Sequence, residues 1–600
     1  MTELAELPPV VPVDPSAIQP RSGLVGWITS TDHKRIGLMT MGSSLVMFLV
    51  FGAMALLMRT QLALPDQHLI SNQVYNELFT LHGSGMIVLV VTPLAIGIGV
   101  YLVPLQVGAP VIGGAKTCLF AYWTYVFGAV MIIMSTVTSN PPATGWYSYV
   151  PLSDSRYSPG FGMDMWMFGF MLGVFAMCLM SGCVLWTALR MRAPGVTLMR
   201  LPVFTWSQIV TCLMSVASFP MLLFAMGIIA IGRIDPNLFA HDYWDMAYQF
   251  AFWFYGHPVV YVMFFPFVGC IATVIAAFSG RMYFGYHFTV FALLAFSVGS
   301  MTVFGHHLFT TGQSTNPYFS LSSIMLSVPA GVEYFGLLTT LIGGRIVFRT
   351  PMLFALAFIP QFLIGGLSGI MVASPVLDYQ FQGTYFIVAH FHYTLFAGSV
   401  FGAFAGIYYW FPKATGVMLD EKLGKVNFWL MVIGTNATFG PMFGEGFLGL
   451  PRRVATYWQS LGVDPLTLTS SIGAGVIALG VGVFVFNVAK SLIVRVPAGD
   501  DAWGVGQGVE WATSSPPPMF NFDELHPVPR VKSYAPLLTL RWEAEDEEAE
   551  RVATELRELD LPAPAAGVAA ATGPTGGAVG TRSGGDRGSD ADVEARGPQP

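Results

Sequence analysis

The sequence predicts an all-α, polytopic membrane protein: a bundle of about twelve transmembrane helices followed by a disordered C-terminal tail. Only 10% of the 600 residues are charged, whereas 54% are hydrophobic. Soluble proteins carry about 25% charged residues. The low charge and the mean hydropathy of +0.60 therefore indicate that lipid is the main solvent. The formal net charge of −7 gives no indication of a nucleic-acid partner.

Apolar runs long enough to cross a membrane recur along the chain. A hydrocarbon core of about 30 Å requires roughly 20 apolar residues in a helix. Breakers such as Asn140-Pro141-Pro142 and Ala193-Pro194-Gly195 separate neighbouring runs. The twelve predicted spans cover residues 36–58, 77–103, 117–140, 164–189, 204–231, 248–278, 288–305, 319–346, 352–373, 385–411, 426–447 and 466–494.

Lysine and arginine are distributed unevenly between the two sides of the predicted bundle. If the N-terminus is cytoplasmic, most basic loop residues lie on the inner side, as the positive-inside rule requires. We therefore expect a multi-pass protein of a bacterial plasma membrane, with both termini in the cytoplasm. The adjacent pair Arg452-Arg453 is unexpected on the outer side and requires an anionic partner. The outer loops hold five arginines: Arg59, Arg156, Arg233, Arg452 and Arg453.

Composition divides the chain into four predicted segments. Residues 1–30 form a Pro-rich cytoplasmic segment without the apolar core of a cleaved signal peptide. Residues 31–499 form the twelve-helix domain, and residues 500–541 form a Pro-rich extension along the inner surface. Residues 542–600 are Glu-rich and then Ala/Gly/Pro-rich, a composition that is typical of disorder. The five cysteines form no CxxC or CxxxC pair, so this chain has no thiolate copper centre of its own.

Six of the eleven histidines lie near or within the predicted spans, all in the outer half of the membrane. Polar side chains in lipid are costly and are usually functional. Imidazole is a ligand that suits copper and iron. Metal ligation is therefore predicted for His82, His257, His306, His307, His390 and His392.

The spacing of these histidines divides them into groups. Two residues that are two positions apart on a helix point about 200° apart, so one metal cannot bind both His390 and His392. His306 and His307 adjoin at a helix end, where irregular backbone could direct both toward one ion. A copper with three imidazoles fits these two together with His257. The three remaining histidines suit two haem irons, one with two axial ligands and one with a single ligand.

Three segments resemble cytochrome c oxidase subunit I, of the haem–copper oxidase family. They are WFYGHPVVY at 253–261, GHHLFT at 305–310 and TYFIVAHFHY at 384–393. Further segments that look like signatures of this family are VPLQVGAP at 103–110, MRAPG at 191–195 and PRR at 451–453. The likeness covers about residues 24–535. It implies a respiratory terminal oxidase that reduces dioxygen to water with electrons from cytochrome c and couples this reaction to proton transfer across the membrane.

The resemblance implies a role for each predicted ligand. His82 and His392 would bind a low-spin haem, and His390 would bind a high-spin haem. The other three histidines would bind a single copper ion that faces it. Tyr261 lies four residues after His257, on the same face of one helix. It would be covalently joined to that histidine and would supply an electron and a proton for cleavage of the O–O bond.

The resemblance also implies how the edges of the two haems would be held. Arg452 and Arg453 would pair with haem propionates, which accounts for cations on the outer side. Trp146 and Asp378 would lie near those propionates. Arg59 would contact the formyl group of the low-spin haem, which suggests haem A.

The expected partners follow from the same resemblance. A second subunit would carry a two-copper site on the outer face, and a third subunit usually accompanies it. Electrons would come from cytochrome c or a membrane-tethered cytochrome. The other expected partners are dioxygen and the lipid bilayer.

The usual proton-channel residues of the family are missing from this chain. The aspartate expected after Gly108-Ala109-Pro110 is Val111. Two asparagines of the same route correspond to Val100 and Cys118. The glutamate expected within the HPxxY segment is Val259.

Two other residues are candidate proton relays. Glu333 stands where the lysine of the second route is expected, and a carboxyl group near mid-membrane suits proton transfer. Tyr255 resembles a tyrosine that replaces the missing glutamate in one branch of the family, although Gly256 follows it where that branch has serine. We hypothesise that Glu333 carries protons to Tyr261. At Gln382-Gly383 the family usually has a His-Asp pair that holds magnesium.

Four alternatives remain open from the sequence. A nitric oxide reductase on the same scaffold would lack the active-site tyrosine, so Tyr261 argues against it. A non-pumping oxidase agrees with the missing proton routes. A polytopic transporter would often show internal repeats, and none is visible. A haem-binding assembly or sensory protein without turnover would not require the complete set of metal ligands together with Tyr261, so these residues argue against it.

Overall fold

The computed structural model describes residues 23–138, 140–235, 243–312 and 317–558. Within these ranges the regular structure is helical, and the only β-pairing is two isolated bridges, Thr384 with Pro451 and Val417 with Pro497. A helix satisfies its own backbone hydrogen bonds, which is the condition for crossing lipid. The predicted all-α membrane fold is confirmed.

Twelve long helices, numbered α1 to α12 in chain order, form the bundle in the described part of the chain. Their bounds are α1 His33–Gln61, α2 Asn72–Gln106, α3 Ala115–Val137, α4 Phe161–Arg190, α5 Val203–Ile234, α6 Tyr243–Ser279, α7 Tyr286–Thr311, α8 Pro317–Leu341, α9 Thr350–Ala373, α10 Tyr385–Thr415, α11 Glu421–Phe447 and α12 Asp464–Val494. All except α11 are long and apolar enough to cross a membrane. α11 has the length, but it carries buried polar residues such as Asn427, Thr435 and Glu445.

Each predicted span falls on one of these helices, and two of the spans run past the end of their helix. The sequence predicts ends at residues 140 and 346, whereas α3 ends at Val137 and α8 ends at Leu341. Beyond α8, Gly343 has φ +73°, a left-handed conformation that ends helices and that glycine adopts without strain. The apolar residues that follow it extended the hydropathy signal past the helix.

Side-chain caps define where several helices begin. Asp32, Ser71, Thr384 and Asp420 each accept a hydrogen bond from a backbone N–H of the following first turn. These N–H groups have no partner inside the helix, so a cap is worth about 1 kcal/mol. The caps lie at the starts of α1, α2, α10 and α11.

The four helices that carry the six histidines are all interrupted. α2 and α10 contain π-helical segments, Met86–Val91 and Leu395–Val400. α6 breaks at His257, just before Pro258, and α7 ends in the 3₁₀ segment Phe304–Thr311. Such interruptions are frequent at functional sites, because they change the direction in which a side chain points.

The chain divides into two units, residues 1–540 and 541–600. In the first unit, the segment after α12 packs against the ends of the bundle. Asn521 Oδ1 accepts a hydrogen bond from Lys34 Nζ at 3.0 Å, and its Nδ2 donates to Ala109 O at 2.7 Å. Lys413 Nζ donates to Thr513 O at 2.6 Å. Buried bonds of this kind hold the extension to α1, to the loop after α2 and to α10.

The second unit is described only as far as Glu558, where the helix Pro536–Glu558 ends. Arg551 pairs with Glu548 at 2.6 Å and with Glu555 at 3.0 Å. These spacings support an isolated helix, and the sequence there is rich in strong helix formers. The structure therefore differs from the predicted disorder of 542–600 up to Glu558. The rest of that tail, and most of the predicted N-terminal segment 1–30, lie outside the described residues.

Gly473 of α12 lies directly against the backbone of α11. An added Cβ would come within 2.5 Å of Thr438 N and 2.6 Å of Ala437 C. Because backbone atoms cannot give way, we expect Gly473→Ala to lower the free energy of unfolding by about 1–3 kcal/mol. The measurement is the midpoint of thermal unfolding in detergent. The matched control is Gly475→Ala, where an added Cβ meets nothing within 4 Å. Equal midpoints for the two variants would contradict the close approach of the helices.

Candidate metal centre

A cavity of about 1200 Å³ lies inside the bundle, and all six histidines line it. Its wall also contains most of the other residues singled out from the sequence. These are Tyr261, Arg59, Trp146, Asp378, Arg452 and Arg453. A cavity of this size, with few polar groups among many apolar ones, is typical of a cofactor site.

Three imidazoles meet at one point of the wall. The nearest ring nitrogens of His257, His306 and His307 all lie within 4.8 Å of one another. His257 Nδ1 is 3.2 Å from His307 Nε2, and the ring centroids of His257 and His306 are 4.5 Å apart. His257 Nε2 is buried and has no hydrogen-bond partner among the described residues. Nitrogens of three imidazoles this close together fit a metal ion with three histidine ligands.

Local backbone geometry and packing bring these rings together. The 3₁₀ segment of α7 allows the adjacent His306 and His307 to face the same point. Trp253, one turn before His257, stacks on His307 with centroids 4.0 Å apart and planes 15° apart. Ser323 Oγ of α8 lies 2.7 Å from His306 Nδ1. These contacts fix the ring orientations, as partners of metal-binding histidines commonly do.

Tyr261 lies beside this group, one turn after His257 on α6. The two ring centroids are 4.8 Å apart. Phe296 packs against the other side of the phenol ring, with centroids 4.9 Å apart. The structure therefore places a phenol and an imidazole side by side in the cavity wall.

The other three histidines share a common arrangement. Each Nδ1–H donates to a backbone carbonyl: His82 to Phe51 O at 2.9 Å, His390 to Gly365 O at 3.1 Å and His392 to Val388 O at 2.8 Å. This bond selects the tautomer in which Nε2 carries a free lone pair. Each ring therefore has one nitrogen that is free to bind a metal in the cavity.

The rings of His390 and His392 pack against different neighbouring helices. Ser368 Oγ of α9 is 3.1 Å from His390 Nδ1. His392 stacks on Phe439 of α11, with centroids 4.3 Å apart and planes 12° apart. The free Nε2 atoms of His390 and His392 would therefore serve separate parts of the cavity.

The arginines are held in the wall by aromatic rings and oxygen acceptors. The guanidinium of Arg453 lies 4.2 Å from the Tyr147 ring centroid and donates to the Tyr147 hydroxyl. Arg59 Nη2 donates to Thr467 O at 2.8 Å. Arg59 Nε and Nη1 are buried without a partner. Unpaired guanidinium nitrogens at a cavity wall fit a ligand with oxygen atoms at its edge.

Asp378 is a buried carboxyl group in the short helix Pro375–Phe381, between α9 and α10. Burial raises the pKa of Asp378 to about 7, and the nearby Arg452 opposes this rise. The carboxyl group therefore changes charge near neutral pH.

The two candidate proton relays do not line the cavity. Glu333 is buried on α8, one turn beyond the cavity-lining Ala330, and its Oε1 has no partner. Tyr255 is buried on α6, where its ring lies 5.4 Å from that of Phe219. Val100, Val259 and Cys118, at three of the missing proton-channel positions, are fully buried.

Sequence reasoning missed several residues that shape this centre. Trp253 could have been found, because it is four residues before His257 in the same segment. Ser323, Tyr147 and Phe439 gave no signal, because their contacts join residues that are far apart in the chain.

Comparison with known proteins agrees with this geometry. The family described as cytochrome c and quinol oxidase polypeptide I matches residues 35–476. Cytochrome c oxidase subunit 1 of Corynebacterium efficiens is 42% identical over 537 residues, covering 87% of this chain and 90% of that protein. The protein of the same name from Corynebacterium diphtheriae is also 42% identical over 537 residues, covering 87% of this chain and 93% of that protein.

A solved structure shows the same fold. A haem–copper terminal oxidase dimer, determined by cryo-EM, superimposes with a TM-score of 0.64 at 18% sequence identity. The match covers 78% of this chain and 85% of that chain. Together with the family match over most of its length, this establishes that the chain belongs to the cytochrome c and quinol oxidase polypeptide I family.

Proposed function

We propose that this chain reduces dioxygen to water with electrons from cytochrome c and couples the reaction to proton transfer across the membrane. As a member of its family, it is the catalytic subunit of a haem–copper terminal oxidase and thus an oxidoreductase. The observation that supports the proposal is the three-imidazole group in one cavity with three further histidines whose Nδ1 atoms are already bonded.

The donor set divides naturally between one copper and two haems. His257, His306 and His307 would bind copper, since their nitrogens converge. His82 and His392 would be the two axial ligands of a low-spin haem, and His390 would be the single ligand of a high-spin haem. When bound, the metals supply the electrons that reduce dioxygen.

Tyr261 would hold a transferable proton at its phenol oxygen, beside His257. The apolar wall excludes water, which limits side reactions during reduction. We propose a covalent bond between an imidazole nitrogen of His257 and a ring carbon of Tyr261. Forming it would remove the N–H and C–H hydrogens as two protons and two electrons, which dioxygen would accept. The two rings are neighbours, with centroids 4.8 Å apart. A phenol at this position also favours dioxygen over nitric oxide as the substrate.

The polar groups of the wall would hold the haem edges. Arg452 and Arg453 would pair with propionates, and Trp146 and Asp378 would lie close to these groups. Arg59 has two unpaired nitrogens, which suit a formyl oxygen and therefore haem A.

The proposed assembly contains a second subunit with a two-copper site, a third subunit, and cytochrome c or a membrane-tethered cytochrome as the electron donor. We place both termini of the chain on the cytoplasmic side of a bacterial plasma membrane. The excess of lysine and arginine in one set of loops supports this orientation.

An oxygen pulse tests the overall reaction. The purified complex is placed in vesicles with reduced cytochrome c and an ionophore that balances charge. We expect oxygen uptake together with net acidification outside, because a coupled oxidase moves protons outward. Uptake without acidification would mean a non-pumping oxidase. Reduction of nitric oxide in place of dioxygen would mean a reductase and would overturn the proposal.

His306→Ala tests the copper site. Loss of one of three nitrogen ligands should lower the copper content per protein about tenfold or more. Elemental analysis of the purified protein measures this content. The low-spin haem spectrum should persist, since His82 and His392 are unchanged. The control is His287→Ala, because His287 is exposed at the start of α7. Copper at the control level in His306→Ala would contradict the assignment.

Glu333→Ala tests the proposed proton relay to Tyr261. Removing the carboxyl group should slow oxygen turnover about tenfold, because it interrupts proton delivery. Haem spectra and copper content should stay unchanged, since Glu333 does not line the cavity. The conservative variant Glu333→Asp should retain more turnover than Glu333→Ala. Full turnover in Glu333→Ala would refute this role.

A further inference from the structure

A row of five buried polar side chains follows one face of α5. We call Thr205, Gln208, Thr211, Ser215 and Ser218 the α5 polar row. All five side chains are fully buried. Spacings of three and four residues place them on one face of the helix. At 1.5 Å per residue the row is about 20 Å long, or about two-thirds of the hydrocarbon thickness.

The protein alone does not satisfy the hydrogen bonds of this row. Gln208 Oε1 and Thr211 Oγ1 are buried and have no hydrogen-bond partner in the described part of the chain. Ser215 and Ser218 donate only to the carbonyls four residues earlier, at 2.8 Å, so their oxygen lone pairs are free to accept. Gln208 Nε2 donates to Ala95 O of α2 at 2.9 Å. Unpaired polar atoms inside a membrane bundle are costly, and buried water is their usual partner.

α2 leaves space for the glutamine of the row. A Cβ added at Gly99 would lie 2.4 Å from Gln208 Oε1. The amide therefore occupies space that the missing side chain provides. Among the described residues, one further hydroxyl without a hydrogen-bond partner occurs on a helix that packs beside α5, that of Thr92 on α2.

A buried carboxyl group lies at one end of the row. Thr205 Oγ1 donates to Gln106 Oε1 at 2.7 Å, and Gln106 Nε2 donates to Glu510 Oε1 at 3.2 Å. Glu510 is fully buried in the extension after α12, and its Oε2 has no partner. Burial raises the pKa of Glu510, so it holds its proton to higher pH than an exposed glutamate. A proton carrier therefore adjoins the row on the side that we assign to the cytoplasm.

The other end of the row reaches the helix that carries the metal-binding group. Ser218 precedes Phe219, whose ring contacts Tyr255 of α6 with centroids 5.4 Å apart. Tyr255 lies one turn before Val259, the position where the family usually has its glutamate. The row thus begins beside Glu510 and ends at a serine whose chain neighbour, Phe219, contacts α6.

We propose that the α5 polar row holds a chain of water molecules and conducts protons from Glu510 to the region of α6 beside the cavity. The inference rests on the proposed function, since dioxygen reduction consumes the protons. Each proton that leaves at the α6 end is replaced by one taken up at Glu510. Along the usual proton route of the family, this chain has Val111, Val100 and Cys118 at positions that are usually polar. The α5 polar row would replace that route.

The double variant Ser215→Ala/Ser218→Ala tests the path. It removes two hydroxyls from the middle and far end of the row without adding volume. We expect proton uptake from the Glu510 side during an oxygen pulse to slow about tenfold. Haem spectra and copper content should match those of the unmodified protein, because neither serine lines the cavity.

The matched control is Ser297→Ala/Ser300→Ala. These two serines are also buried and three residues apart, and each donates to a carbonyl three residues earlier, but they lie on α7 outside the row. The control should take up protons at the normal rate.

A second measurement does not depend on turnover. High-resolution cryo-EM of the complex should show ordered water within hydrogen-bond distance of Gln208 Oε1 and Thr211 Oγ1, and the double variant should lose water beside residues 215 and 218. The proposed proton path would be overturned if the α5 polar row held no ordered water, or if the double variant took up protons as fast as the control. Either result would leave the proposed oxidase function intact. Absence of haem and of oxygen uptake in the unmodified complex would instead refute the proposed function.

Discussion

The three histidines that we propose as haem ligands depend on hydrogen bonds between their Nδ1 atoms and backbone carbonyls. Inside a membrane bundle an imidazole N–H must be satisfied by the protein, and the same bond leaves Nε2 as the metal-binding atom. His82 and His390 reach carbonyls of other helices, Phe51 O on α1 and Gly365 O on α9. Glycines make these approaches possible. A Cβ at Gly85 would lie 2.5 Å from the Phe51 ring, and one at Gly365 would lie within 3.0 Å of backbone atoms of α10. Tight helix packing is therefore a requirement of the ligand geometry.

The cavity wall is mostly apolar, yet it includes arginine side chains, whose charge is costly inside a membrane bundle. Aromatic rings lower part of this cost, because a cation–π contact holds a cation without neutralising its charge. Arg453 lies between the rings of Tyr147 and Phe79, at 4.2 Å and 5.2 Å from their centroids. Its charge therefore remains available to a ligand. Arg59 likewise keeps two nitrogens unpaired. These two arginines therefore suit the cofactors that we propose, which would bring negative charge and oxygen atoms to the wall.

Features with a local cause were predictable from the sequence, and features with a distant cause were not. The spans follow from runs of apolar residues, and the histidine set follows from the cost of polar groups in lipid. The proximity of Tyr261 to His257 follows from one helical turn. By contrast, the contact of Ser323 with His306 depends on how α7 and α8 pack, and residue spacing does not encode it. The sequence also did not show that Glu333 lies outside the cavity wall, because hydropathy gives depth but not the direction in which a side chain faces.

The two halves of the proposed chemistry place different demands on the sequence. A metal requires its donor atoms within a few tenths of an ångström, so each ligand must stand at one position on one helix, and the matching segments are unmistakable. A proton path requires only polar atoms close enough for water to connect them. Such a row can lie on α5 instead of along α2 and α3, provided that it begins at a proton-binding group and ends near the cavity. The α5 polar row meets both conditions, with Glu510 at one end and α6 at the other. A chain can therefore keep the metal-binding pattern of its family and still lack the usual proton-channel residues.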